Sequence, residues 1–162
     1  MTSKPTMPSP EFMRKAIREA RKNLLRPDGG PFGACIVKDG RVVAVARNTV
    51  LKNDATCHAE VNAIRKASKK LGTYDLGGCE IYSTTEPCPM CFGAIHWARI
   101  GTIYYGTDIN DAARTGFNEL RLSNARLKAL GRSKVRIVPG FLREECLSLF
   151  KAWTVLPTRK LY

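Results

Sequence analysis

Residues 79–106 read CEIYSTTEPCPMCFGAIHWARIGTIYYG, and their reading decides the fold. Cys79–Ser83 is rich in β-formers and predicts a strand. Pro87 then opens a predicted helix over Cys88–Ala98, because a first-turn proline gives up no hydrogen bond. Gly101–Gly106, with Ile103, Tyr104 and Tyr105, predicts the next strand. Strand, helix and strand in this order make one unit of a layered α/β domain.

The same alternation continues on both sides. Phe12, Ala16, Ile17, Ala20 and Leu24 recur at helical spacing, with basic residues on the other face. The turn-rich run Pro27–Pro31 ends that helix. Gly33–Lys38 and Arg41–Arg47 are short apolar runs joined by Asp39-Gly40, a strong hairpin signal. Asn48–Cys57 is loop-like, and Ala59–Leu71 predicts a helix closed by Gly72. Beyond residue 106, Asn110–Leu130 is helical in part, Lys134–Val138 is a strand and Leu142–Trp153 a helix. The stretch between the fourth and fifth strands is long enough for a crossover, so those strands are expected to be parallel. Residues 1–10, with three prolines and no hydrophobic pattern, are expected to form a flexible tail before a single domain over 11–162.

Composition narrows the function. The chain has 162 residues, 44% hydrophobic and 25% charged, which is ordinary for one globular domain and excludes a disordered or coiled-coil chain. No apolar run approaches the ~20 residues of a membrane span. Lys plus Arg is 27 against 14 for Asp plus Glu, a net charge of +13. That excess suits a nucleic-acid or other anionic partner, although solvated helix faces account for most of the cations. The start, MTSKPTMPSP, has no apolar signal core, so a reducing, cytoplasmic setting is expected. There, six cysteines point to metal binding or catalysis before disulfides.

Two segments carry chemistry. His58-Ala59-Glu60 opens one predicted helix, and Pro87-Cys88-Pro89-Met90-Cys91 opens another. Cys88 and Cys91, three residues apart at a helix start, can aim both sulfurs at one point, and His58 adds a nitrogen. Two thiolates and an imidazole make three ligands for one Zn²⁺ per chain, with water in the fourth position, as in catalytic zinc sites. Glu60 is then the proton carrier for that water. This suits exchange of a ring amine for oxygen. Cys57 is read as a small buried thiol, and Cys35, Cys79 and Cys146 as core.

The segments CHAEVNAIRKA and TEPCPMCFGAIHWARI resemble the cytidine deaminase superfamily, and within it the bacterial-type guanine deaminases, from about Phe12 to Tyr162. The resemblance implies a three-layer α/β/α sandwich with a five-stranded mixed sheet. It implies hydrolysis of guanine to xanthine and ammonia, with the metal ligands and Glu60 as above. It assigns Phe32, in GGPFGA, to stacking on the base and Asn48 to reading the ring. Trp97 is expected to line the pocket. DAARTGFNE (111–119) resembles a family segment whose last acid assists catalysis or binds the amino edge, here Glu119. The C-terminal segment, residues 142–162, resembles one exchanged across a homodimer, with the final tyrosine, Tyr162, capping the partner's site.

Two departures bear on the substrate. Asn118 stands where the family has an acid, and Glu119 is one methylene longer than the usual aspartate. Guanine offers N1–H and the 2-amino group as adjacent donors, which a carboxylate can accept. A buried site built for that edge rejects rings lacking it. The alternatives are a diaminotriazine, guanosine, cytosine or an adenosine in tRNA. An aromatic tail over the site disfavours the polynucleotide.

Overall fold

The turn at Asp39-Gly40 sets the first edge of the sheet. Both residues adopt left-handed backbone, with φ of 49° and 70°, which matches the twist of the strands they join. In the computed structural model, which describes residues 7–162, this hairpin joins β1 (Gly33–Lys38) and β2 (Arg41–Arg47), preceded by α1 (Pro10–Leu25). Then come α2 (Ala59–Leu71), β3 (Cys79–Thr85), α3 (Pro89–Trp97), β4 (Thr102–Thr107), α4 (Ile109–Thr115), α5 (Asn124–Gly131), β5 (Arg136–Val138) and α6 (Arg143–Thr154).

The strands form one mixed sheet in the order β2-β1-β3-β4-β5. β1 runs antiparallel to β2 and β3, while β3, β4 and β5 are parallel. Alternating side chains divide the core into two layers. On one face Ile36, Ile81 and Ile103 meet the alanine side of α2 (Ala59, Ala63, Ala67) together with Phe92 and Ile95 of α3. Those alanines are fully buried, so α2 lies close to the sheet. On the other face Cys35, Val37, Tyr82 and Tyr104 meet Met13, Ala16, Ile17 and Ala20 of α1 and Cys146 and Leu149 of α6. Cys57 and Cys79 are buried as well, and all six cysteines are free. The three-layer sandwich with a five-stranded mixed sheet is therefore as expected.

Local boundaries differ where a cap outranks periodicity. Residues 1–6 of the expected tail lie outside the described residues, but Pro10 is already the first residue of α1. Just before it, the Ser9 N–H donates to the Tyr82 hydroxyl at 3.3 Å. α3 starts at Pro89, with Cys88 rather than Pro87 before it as the N-cap. β3 extends two residues past Ser83, and β5 is confined to Arg136–Val138. The region 110–130 is two helices. Gly116, at φ 110°, closes α4, and Ser123 caps the start of α5.

Candidate active site

The chemistry sits at the C-terminal ends of the parallel strands β3 and β4, where open α/β sheets place their ligands. Two helix starts converge there. His58 is the N-cap of α2 and Cys88 the N-cap of α3, and neither side chain caps its own helix. Both are thereby free to point off the helix end, where backbone N–H groups favour negative charge. Cys91 follows in the first turn of α3 and is fully buried.

The Cys88 sulfur lies 3.5 Å from His58 Nδ1. One ligand atom each from His58, Cys88 and Cys91 fall within 4.8 Å of one another, the one such group of three among the described residues. A hydrogen bond from the Cys91 thiol, backed by His58, holds the Cys88 sulfur down to about 4, while Cys91 is pushed well up. Tetrahedral zinc, with bonds of about 2.3 Å to sulfur and about 2.0–2.1 Å to nitrogen, places such atoms about 3.5 Å apart. The donor set and its spacing fit that ion.

Glu60, in the first turn of α2, is almost fully buried. Its Oε1 accepts from the Ser83 hydroxyl at 2.7 Å, and its Oε2 accepts from the Cys91 thiol at 3.4 Å. Burial pushes this carboxyl above the ordinary range.

His58, Glu60 and Cys88 line a cavity of about 380 Å³, together with Phe32, Asn48, Met90, Phe117, Glu119 and Tyr162. Phe32 is held edge-on by Phe117 and Phe150, at 4.9 and 5.8 Å between ring centres. A Cβ on Gly30 would stand 2.5 Å from the Phe32 ring, so only glycine lets that ring fold back. Asn48 Oδ1 accepts from the Val50 N–H at 3.0 Å, which leaves its amide hydrogens for other partners. Asn23 braces both loops, donating to the carbonyls of Gly30 and Asn48 at 2.8 Å. Burial, with Cys88 and Glu60 nearby, pushes the Glu119 carboxyl up to about 7.

The chain end closes this wall. The Gly30 N–H donates to the Tyr162 hydroxyl at 2.9 Å, the Asn118 N–H donates to the Tyr162 carbonyl at 3.1 Å, and the ring meets Phe117 at 5.5 Å. Burial raises the Tyr162 hydroxyl above its ordinary range. Within the single chain, the C-terminal segment thus packs on its own body.

His58, Glu60, Cys88, Phe32, Asn48, Glu119 and Tyr162 all line this one cavity, with Cys91 packed behind it. Trp97 does not. It is 80% exposed and borders a separate groove with Tyr74 and Arg99. The reason is length: at about 1.5 Å per residue, Trp97 lies about 9 Å further along α3 than Cys91, at the end away from the cavity. Phe117, in the cavity lining, and three residues that support the site escaped the sequence reading. Ser83 is a polar residue at a core-facing strand position, and Asn23 a polar residue at a core-facing helix position, which is a legible signal in both cases. Glu86 accepts from the Ile109 N–H (3.2 Å) and the Asn124 N–H (2.8 Å), tying α4 and α5 to the cavity wall.

A family model described as the cytidine and deoxycytidylate deaminase zinc-binding region matches residues 8–107. Over 154 residues the chain is 42% identical to the guanine deaminase of Bacillus subtilis (strain 168), covering 93% of this chain and 97% of that one. It is 48% identical over 96 residues to a tRNA-specific adenosine deaminase of Agrobacterium fabrum, covering 59% and 62% of the two chains. Among solved structures, a guanine deaminase from Nitrosomonas europaea matches with a TM-score of 0.83 at 27% identity, over 96% of this chain and 90% of that one.

Proposed function

We infer the reaction from kinship and geometry together: the chain belongs to the zinc-binding cytidine and deoxycytidylate deaminase family. It is a zinc-dependent hydrolytic deaminase that converts guanine and water to xanthine and ammonia. The observation that carries this reading is one cavity lined by His58, Cys88 and Glu60, with Cys91 packed behind it and Glu119 and Tyr162 in its wall.

His58, Cys88 and Cys91 would hold the metal. Zinc bound there supplies Lewis acidity, which brings the pKa of a water to about 7. Glu60 takes a proton from the attacking water and gives it to the ring nitrogen beside the reacting carbon. It then takes the remaining proton of the added hydroxyl and gives it to the departing amine, so that C=O forms as C–N breaks. Glu119 accepts from the N1–H and 2-amino edge. Asn48, its oxygen committed to Val50, offers amide hydrogens to a ring acceptor. Phe32 and Phe117 flank the ring, and Tyr162 keeps water out.

Tyr162 also argues for a free base. A polynucleotide would have to thread a base past a chain end held by Gly30 and Asn118. Nucleic acid is thus the weaker partner for the +13 charge. The reading extends to a homodimer in which residues 142–162 exchange, each Tyr162 making the same contacts on its partner, in a cytoplasm that keeps the free thiols reduced.

The test is guanine conversion by zinc-loaded protein, followed by ultraviolet absorbance, with Glu60→Gln as control. Turnover falling by about 10²–10⁴ in the variant is the expected result. A zinc-loaded wild type that leaves guanine unchanged would refute the reading.

A further inference from the structure

Ser83 is out of place for its surroundings. It lies in the middle of β3, 1% exposed, on the same face as Ile81. Its cross-strand partners are Ala34 and Tyr105, both members of the apolar layer beneath α2 and α3. A hydroxyl there is costly unless it is hydrogen-bonded, and an alanine would fill the position without that cost.

The hydroxyl has two partners. It lies 2.7 Å from Glu60 Oε1 and 2.7 Å from the Thr85 carbonyl oxygen. A serine has one hydrogen to give, and a carboxylate is the stronger claimant. The Thr85 carbonyl, fixed in the backbone at the end of β3, is the other claimant of that one hydrogen and goes without it while Ser83 donates to Glu60. The remaining Glu60 oxygen, Oε2, is the one turned to the Cys91 sulfur.

We propose that Ser83 is a positioning residue for the reaction: by holding Oε1 it makes Oε2 the working oxygen of Glu60 and keeps it aimed at the ligand cluster. The inference rests on the reading of Glu60 as proton carrier given above. Ser83 neither lines the cavity nor belongs to the ligand cluster. Its effect is to restrict a carboxylate that could otherwise rotate about its last torsion, which is broad and soft in glutamate. Misplacement of a reacting group by about 1 Å costs about a hundredfold in rate.

The test compares Ser83→Ala, Ser83→Thr and Ser83→Cys with wild type. Zinc content, thermal midpoint and steady-state kinetics on guanine are measured for each. For Ser83→Ala the expectation is a fall in kcat of about ten- to a hundredfold. KM should stay within about twofold, with one zinc per chain retained. Ser83→Thr, which keeps a hydroxyl on Cβ, should recover most of the lost kcat. Wild-type kcat in Ser83→Ala overturns the proposal. So does a variant that loses zinc or stability while its kcat per zinc-loaded chain is unchanged, since that is a merely structural role. Should Ser83→Ala not fold, Ser83→Cys keeps the size with a weaker donor, and a wild-type kcat there overturns the proposal too. A wild type that turns over no guanine sinks the functional reading instead. The Ser83 role is then decided by crystal structures, where one undisturbed Glu60 orientation in Ser83→Ala would refute it.

Discussion

The two walls of the cavity are built on different principles. The metal wall hangs from helix starts and a central strand: His58 and Cys88 are N-caps, and Glu60 is tied to Ser83 of β3. Its groups stand on rigid elements, Glu60 and Cys91 buried and His58 and Cys88 half-buried. The substrate wall is made of loops and a chain end. Phe32, Asn48, Glu119 and Tyr162 lie outside helices and strands. They are held by edge-on aromatic contacts and backbone hydrogen bonds. The difference teaches a division of labour. The bond-breaking chemistry depends on atoms placed to within about an ångström, so it is carried by the frame. The choice of ring depends on groups that can be exchanged without disturbing that frame.

The metal wall should fail hardest. Cys88→Ala removes a ligand whose sulfur lies at hydrogen-bonding distance from His58, so zinc should fall well below one per chain. Turnover should drop at least about a thousandfold, because both water activation and the Glu60 relay depend on the site. The fold should persist, since the helix start itself is uncapped by this side chain. Metal analysis and circular dichroism check both parts. A Cys88→Ala protein with full zinc and wild-type turnover would remove Cys88 from the site.

The substrate wall should fail more gently. Deleting residues 159–162 takes away the Tyr162 ring contact with Phe117 and the hydrogen bond from Gly30. An aromatic pair contributes about 0.5–1.5 kcal/mol and a hydrogen bond about 0.5–1.5 kcal/mol. Together these amount to about one or two factors of ten in kcat/KM. Zinc content and secondary structure should be unchanged. A truncated protein with unaltered kcat/KM would show that the chain end covers nothing the reaction needs.

The same division explains what the chain reveals before its structure is known. Local rules were enough for the frame. Asp39-Gly40 names its hairpin, Gly72 its helix end, and the paired HxE and PCxxC segments their metal. Each depends on neighbours within a few residues, where backbone geometry is decisive. Phe32, Asn48, Glu119 and Tyr162 were legible only through resemblance. Their meeting depends on contacts across the chain, such as Tyr162 with Gly30, that no periodicity encodes. Trp97 was misplaced. The resemblance put it in the pocket, but it stands at the end of α3 away from the cavity. The break at Gly116 was hidden because residues 110–130 keep helix-forming composition on both sides of it. Ser83 was legible as a polar residue at a core-facing strand position, but its role shows only once Glu60 is found beside it.

The smallest expected effect lies behind the substrate wall, at the group that steadies it. Asp111 of α4 is buried, and its Oδ1 accepts from Arg143 Nη2 of α6 at 2.9 Å and also faces Arg114. Its Oδ2 accepts from the Asp108 N–H at 2.9 Å, closing a reciprocal cap on α4. The Arg143 guanidinium, the Asp108 amide and the Arg114 guanidinium together hold this carboxyl well below the usual carboxylate range. The contribution to stability is therefore complete above the unfolded carboxyl pKa of about 3.9 and is lost as pH falls below it. Asp111→Asn keeps the shape and drops the charge. Both arginines are partly exposed, so solvent screens the pairs. The expected cost is about 1–2 kcal/mol at neutral pH, a fall in melting temperature of about 2–8 °C. The gap between variant and wild type should close as the pH is lowered below about 4. Turnover at neutral pH and room temperature should stay within about twofold of wild type, because α4 carries no group that touches the ring. Melting curves from pH 3 to pH 7 make the check. A gap that stays constant across that range would mean that the Asp111 cluster works by packing and not by charge.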